Sequence, residues 1–159
     1  MTSYLKNSIT VLFLVLIFFV GYIRETIFLV INAVLNKYPF PYNSSYVTPS
    51  HFLYNLSNAK LVILKYILTF CFSLLFFSLT ILLVHFYFKN KGYNKLTLWF
   101  YAFLIGFSFL LSIIGILFNN FIDTYTFNRF IIGLAQTPLL PLVLFVLFYF
   151  KTKIEREKI

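Results

Sequence analysis

Ser8 to Asn36 reads SITVLFLVLIFFVGYIRETIFLVINAVLN, an apolar run interrupted by the adjacent opposite charges Arg24 and Glu25. A hydrocarbon core about 30 Å thick is crossed by roughly 20 residues of helix, so this run is long enough to span a membrane. As a single helix it would extend about 43 Å at 1.5 Å per residue. It must therefore tilt, break or turn along the surface, with residues 27 to 36 either continuing the helix or lying on the membrane. An ionisable group at hydrocarbon depth costs about 2.5–3.5 kcal/mol on insertion scales, which places Arg24 and Glu25 near an interface, beside partners or in a wet cavity. The Lys6-bearing start has the layout of a secretory signal, but no small-x-small cleavage site follows, so the run is read as a retained first span.

The rest of the chain repeats this character. Its 159 residues are 61% hydrophobic, 23% aromatic and only 11% charged, with a mean hydropathy of +0.90, which excludes a water-soluble globule. The fold class expected is all-α: an integral membrane four-helix bundle forming one domain over 1–159, with spans at about 8–36, 61–88, 96–118 and 129–150 and a cytoplasmic tail at 151–159. Tyr38, Pro39, Pro41 and Tyr42 make the loop after the first span Tyr/Pro-rich, a composition suited to the headgroup level. Residues 119–128 are expected to form a second polar connection.

The net charge of +9 does not point to a nucleic-acid partner, because the basic residues sit at span ends and form no interleaved patch. Lys6, Lys89, Lys91, Lys95, Lys151, Lys153, Arg156 and Lys158 fall on one side, against Lys37, Lys60 and Arg129 on the other. The positive-inside rule then puts both termini in the cytoplasm (N-in/C-in) of a bacterial inner membrane, with the loops 37–60 and 119–128 outside.

Small and polar residues inside the spans predict packing. Thr69, Ser73 and Thr80 form a stripe on the second span, while Ala102/Gly106 and Ser108/Ser112 predict that the third span packs centrally. Cys71 is the lone cysteine and reads as a packing residue, and His85 as an interfacial histidine. Lys65 lies close enough to the start of its span to snorkel.

The candidate site is a polar cluster at one depth: Arg24, Glu25, Lys65, Asp123, Arg129 and Gln136. Arg129, Gly133 and Gln136 share a helical face, as do Gly21, Glu25 and Asn32, and Thr137-Pro138 with Pro141 should kink the last span. Two readings stand. In one, Glu25 pairs with Arg129 or Lys65 and Gln136 bonds across a helix interface, locking helix order. In the other, the cluster is a pocket open to the outer leaflet that binds lipid or a partner helix. There is no carboxylate dyad, Ser-x-x-Lys arrangement, Gly-rich phosphate loop or metal cluster in the sequence, so no catalytic residue, metal or cofactor is expected.

Arg24-Glu25-x-x-Phe28, Leu64-Lys65-Tyr66, Asn128-Arg129-Phe130-Ile131 and Pro138-Leu139-Leu140 together resemble the small multi-span proteins encoded beside exosortases in Gram-negative bacteria. An acidic-proline element after the first span, seen in such proteins, is replaced here by Ile31-Asn32-Ala33-Val34. The resemblance implies an accessory role beside a membrane enzyme that processes sorting signals, and no exosortase-like Cys, Arg and His constellation surrounds Cys71. The expectation is therefore a non-enzymatic accessory or assembly partner of another integral membrane protein, in surface-protein sorting or envelope biogenesis. The alternatives are a small lipid- or solute-binding transport component, with membrane lipid as its partner, and an intramembrane enzyme.

Overall fold

The computed structural model describes residues 3–37, 51–117 and 121–157, with the side chains of Ser3, Ile116 and 121–126 left aside. Every regular element among them is helical: α1 (Ser3–Leu35), α2 (His51–Tyr54), α3 (Asn58–Phe88), α4 (Lys91–Leu117), α5 (Phe121–Ala135) and α6 (Leu139–Glu157). Of these, α1, α3 and α4 are long and apolar enough to cross a membrane, and α5 with α6 makes a fourth crossing if the bent pair counts as one span. Multi-pass membrane architecture follows from this length and composition.

Helix α1 runs unbroken through Arg24-Glu25 and residues 27 to 35, so those residues continue the first helix. It stops at Lys37, whose φ of 54° is left-handed and whose N–H reaches back to the Val34 carbonyl at 3.2 Å. Most of the loop expected at 37–60 lies outside the described residues. At the other end of α3, Lys89 adopts the left-handed conformation and donates to the His85 carbonyl at 3.0 Å. Asn90 then accepts the Gly92 N–H at 2.8 Å and caps α4. The connection is two residues long, and α4 begins at Lys91, five residues before the span expected from 96.

The packing centre is α3. It touches α1, α4, α5 and α6, and 39% of its most apolar window is buried against 17% for α4. This corrects the expectation of a central third span: Ala102 and Gly106 lie on the exposed side of α4, and a Cβ on Gly106 would meet nothing within 4 Å. The buried side of α4 is Tyr93, Thr97, Tyr101 and Ser108, and Tyr101 Oη bonds Thr80 Oγ1 of α3 at 2.9 Å. Ile17, Phe76, Leu83, Val84, Leu144 and Phe148 complete the apolar core around this contact.

Helix α5 begins at Phe121, so the polar connection expected at 119–128 is mostly helix, packed lengthwise on α4. The last span breaks at residues 136–138, and α6 leaves at 56° to the preceding segment. Pro138 lacks an N–H and cannot continue the α5 ladder. The Leu134 carbonyl is met instead by the Thr137 hydroxyl at 3.1 Å and the Thr137 N–H at 3.4 Å. Gly21 makes room for the break: a Cβ there would stand 2.7 Å from Pro138 Cγ and 2.9 Å from Cδ.

Basic and aromatic side chains gather at one end. The Lys6 ammonium sits 4.1 Å from the Tyr87 ring centroid. Tyr93 stacks on Phe148 at 4.6 Å and bonds Thr152 at 3.1 Å, bringing the starts of α1 and α4 to the ends of α3 and α6.

Candidate functional site

Towards the opposite end, the polar residues of α1, α3, α4 and α5 surround one cavity of about 390 Å3. Its most constrained member is Gln136, which is 1% exposed and sits in the break. The Gln136 Nε2 donates to the Thr69 carbonyl at 2.8 Å and to Ser73 Oγ at 2.9 Å. Its Oε1 accepts from Arg24 Nη2 at 3.1 Å. The amide orientation is forced, because a guanidinium only donates and a carbonyl only accepts. One side chain thus ties α1, α3 and the α5–α6 break together, and the Thr69/Ser73 stripe of α3 supplies its seat.

Arg24 is held from three directions. Besides Gln136, its Nη1 pairs with Glu25 Oε2 at 2.9 Å, and its Cζ lies 4.9 Å from the Phe28 ring centroid. Its Nε is buried and has no partner among the described residues. Arg24 points inward while the Glu25 carboxylate is 62% exposed, so the pair runs from the interior to the cavity's open side.

Lys65 donates to Asn32 Oδ1 at 2.7 Å, linking α3 to α1 through a neutral amide. Glu25 pairs with neither Lys65 nor Arg129, so the lock envisaged between Glu25 and a distant cation takes another form: Arg24–Gln136 and Lys65–Asn32. Arg129 is exposed, lines the cavity, and makes no ion pair or hydrogen bond among the described residues. Asp123 belongs to α5 by its backbone, but its side chain lies outside the described residues. Gly133, expected on the face of Arg129 and Gln136, is not part of the wall, and a Cβ there meets nothing within 4 Å.

Asn32, Ser112 and Asn128 line the site but were not singled out as its members from sequence. Asn128 bonds Ser108 Oγ closely and donates to Ser112 Oγ at 2.7 Å, pinning α5 to α4 beside Arg129. The available signal was the four-residue spacing of Ser108 and Ser112 together with an amide immediately before Arg129. Asn32 was noticed only as part of a helical face.

Chemically, the described residues of the wall offer three cations, one carboxylate and several neutral amides and hydroxyls, with Phe28, Leu29, Val62 and Ile132 supplying an apolar side. Among the described residues no three His, Cys, Asp or Glu side chains group as metal ligands do. The donor set suits an anion rather than a cation. Comparisons of the chain with models of protein families, with curated proteins and with solved structures find no match, so the reading of this site rests on its own geometry.

Proposed function

We propose that the chain is a four-helix, four-span protein of a bacterial inner membrane, with both termini cytoplasmic, acting as a non-enzymatic accessory partner of another membrane protein in exosortase-type surface-protein sorting or envelope biogenesis. The observation that carries this reading is convergence. Arg24, Glu25, Phe28, Lys65, Tyr66, Asn128 and Arg129, drawn from three of the four motifs behind the family resemblance, all line one cavity. Pro138, from the fourth, packs on Gly21 of the first helix. The gathering of Lys6, Lys151 and the α3–α4 turn at the opposite end is in keeping with a cytoplasmic face there.

A partner role also needs a lateral surface. Ala102 and Gly106 are exposed on α4 between Trp99, Phe103 and Phe109, a small-x-x-x-small site flanked by large rings. Such spacing lets a second helix approach closely. The test is purification of the tagged chain in mild detergent from its native membrane, with mass spectrometry of what accompanies it. A stoichiometric membrane protein is expected, lost in Gly106→Leu while the abundance of the chain is unchanged. Recovery of the chain without any protein partner refutes the accessory role.

A second reading, binding of a lipid or solute, is favoured by the cavity itself, where Lys65 and Arg129 face the same space with no carboxylate paired to either among the described residues. Under this reading Glu25→Gln spares abundance and changes the bound ligand.

A further inference from the structure

The geometry points to the cavity between α1, α3, α4 and α5 as a binding site for a phosphate monoester. This rests on the binding reading of the cavity given above and names its ligand class. The first argument is charge. Among the described residues, Arg24, Lys65 and Arg129 line the space with Glu25 as their one carboxylate, which leaves two positive charges in excess. Among the described residues only Arg24 is neutralised, through Nη1. The Lys65 ammonium gives one N–H to Asn32 and keeps two. Arg129 has its whole guanidinium free of bonds among the described residues. Cations within membrane-length helices are costly unless paired, and the described residues contain no counter-charge for these two. A phosphate monoester carries about −1.5 to −2 at pH 7 on three acceptor oxygens, which matches the excess, whereas a phosphodiester or a carboxylate carries a single charge.

The second argument is the division of the wall. The cations occupy one part of it, and Phe28, Leu29, Val62 and Ile132 line another. Leu29, Val62 and Tyr66 are 41%, 41% and 59% exposed on helices that span the membrane by length, so the cavity communicates with the flanks of α1 and α3. A volume of about 390 Å3 exceeds what a phosphate fills and admits the ester oxygen and first carbons of an alcohol. Gln136 completes the arrangement by fixing Arg24 from behind, through its own buried bonds to α3. The Arg24 guanidinium is thereby oriented before any ligand arrives, which lowers the ordering cost of binding.

The source of the monoester is either a lipid or a soluble ester, and the experiment separates them. The purified full chain, in nanodiscs of phosphatidylcholine, is titrated with dioleoyl phosphatidate, dioleoyl phosphatidylglycerol and glycerol 3-phosphate, and binding is read by native mass spectrometry and thermal shift. One phosphatidate per chain is expected, held about tenfold or more tighter than phosphatidylglycerol. Arg129→Gln and Lys65→Gln should each weaken it about fivefold or more, with helix content by circular dichroism unchanged. Arg129 makes no described bond, so its loss leaves the helices assembled and isolates the ligand term. Tight binding of phosphatidate with none of glycerol 3-phosphate assigns the lipid; the reverse assigns the soluble ester. Equal binding of phosphatidate and phosphatidylglycerol, both weakened by Arg129→Gln, overturns the monoester while leaving anion binding in place. No retention of any of the three above the phosphatidylcholine background, or retention indifferent to both substitutions, overturns the monoester and the binding reading together.

Discussion

Gln136→Leu removes the one side chain that joins three helices, keeping volume close while deleting every polar atom. Three hydrogen bonds disappear: two donated to α3 and one accepted from Arg24. Their values differ. The Thr69 carbonyl keeps the Ser73 hydroxyl at 2.8 Å, and Ser73 loses only one neutral partner. Interhelical side-chain bonds of this kind in membrane proteins average about 0.6 kcal/mol. Arg24 fares worse, since its Nε is already buried without a partner and Nη2 would join it. A hydrogen bond to a charged group is worth about 1.5–3 kcal/mol. The sum is a loss of about 3–4 kcal/mol, a large part of the stability of a domain this size. The assay is reversible unfolding in SDS followed by circular dichroism, comparing Gln136→Leu with Arg24→Leu and the double variant. Because Arg24 and Gln136 share a bond, the double variant should lose less than the two single losses added together. A Gln136→Leu loss under about 1 kcal/mol, or strict additivity, would refute the reasoning.

Two glycines on either side of the break should respond oppositely to added side chains. Gly21→Leu drives atoms into the Pro138 ring, already 2.7 Å from a Cβ position, and should cost about 2 kcal/mol or more in the same SDS assay. Gly133→Ala meets open space and should be neutral or stabilise by up to about 1 kcal/mol through helix propensity. Cys71 is exposed on α3, on a side that faces lipid if α3 spans. In intact vesicles it should therefore resist maleimides, apolar or membrane-impermeant, and react with them once the chain is unfolded in SDS; labelling of intact vesicles by a sulfonated, membrane-impermeant maleimide would place that surface in water.

The membrane class was legible because apolar runs of span length suit a bilayer, and the breaks expected between them fall at lysine-rich, proline-bearing or Asn/Thr-rich segments. The site was legible in part for the same reason: Arg24, Glu25, Lys65 and Gln136 stand out as polar residues within apolar helices. Their partners did not stand out. Neighbours in a helix point about 100° apart, so the Arg24–Glu25 pair depends on the reach of the arginine rather than on spacing. Lys65 near a span end reads as snorkelling from local sequence, and only the packing of α1 on α3 brings Asn32 within 2.7 Å. Residues 121–128, rich in Asp, Thr and Asn, are poor helix formers in isolation, and their lengthwise contact with α4 overrides that preference. The small residues of α4 pointed to close packing but not to a side, since Ala102/Gly106 and Ser108/Ser112 both repeat at four; which pair turns inward is settled by the Tyr101–Thr80 bond and by Asn128.

The bond between Arg24 and Gln136 joins residues 112 positions apart in the chain. During synthesis at about 5–20 residues per second, the first helix therefore waits roughly 6–20 s before its partner exists. Through that interval its guanidinium has only the neighbouring glutamate and a phenyl ring for company. Helix α1 is thus joined to α3 early, through Lys65 and Asn32, while its guanidinium is secured late, and any chain cut short before residue 136 leaves Arg24 without that acceptor.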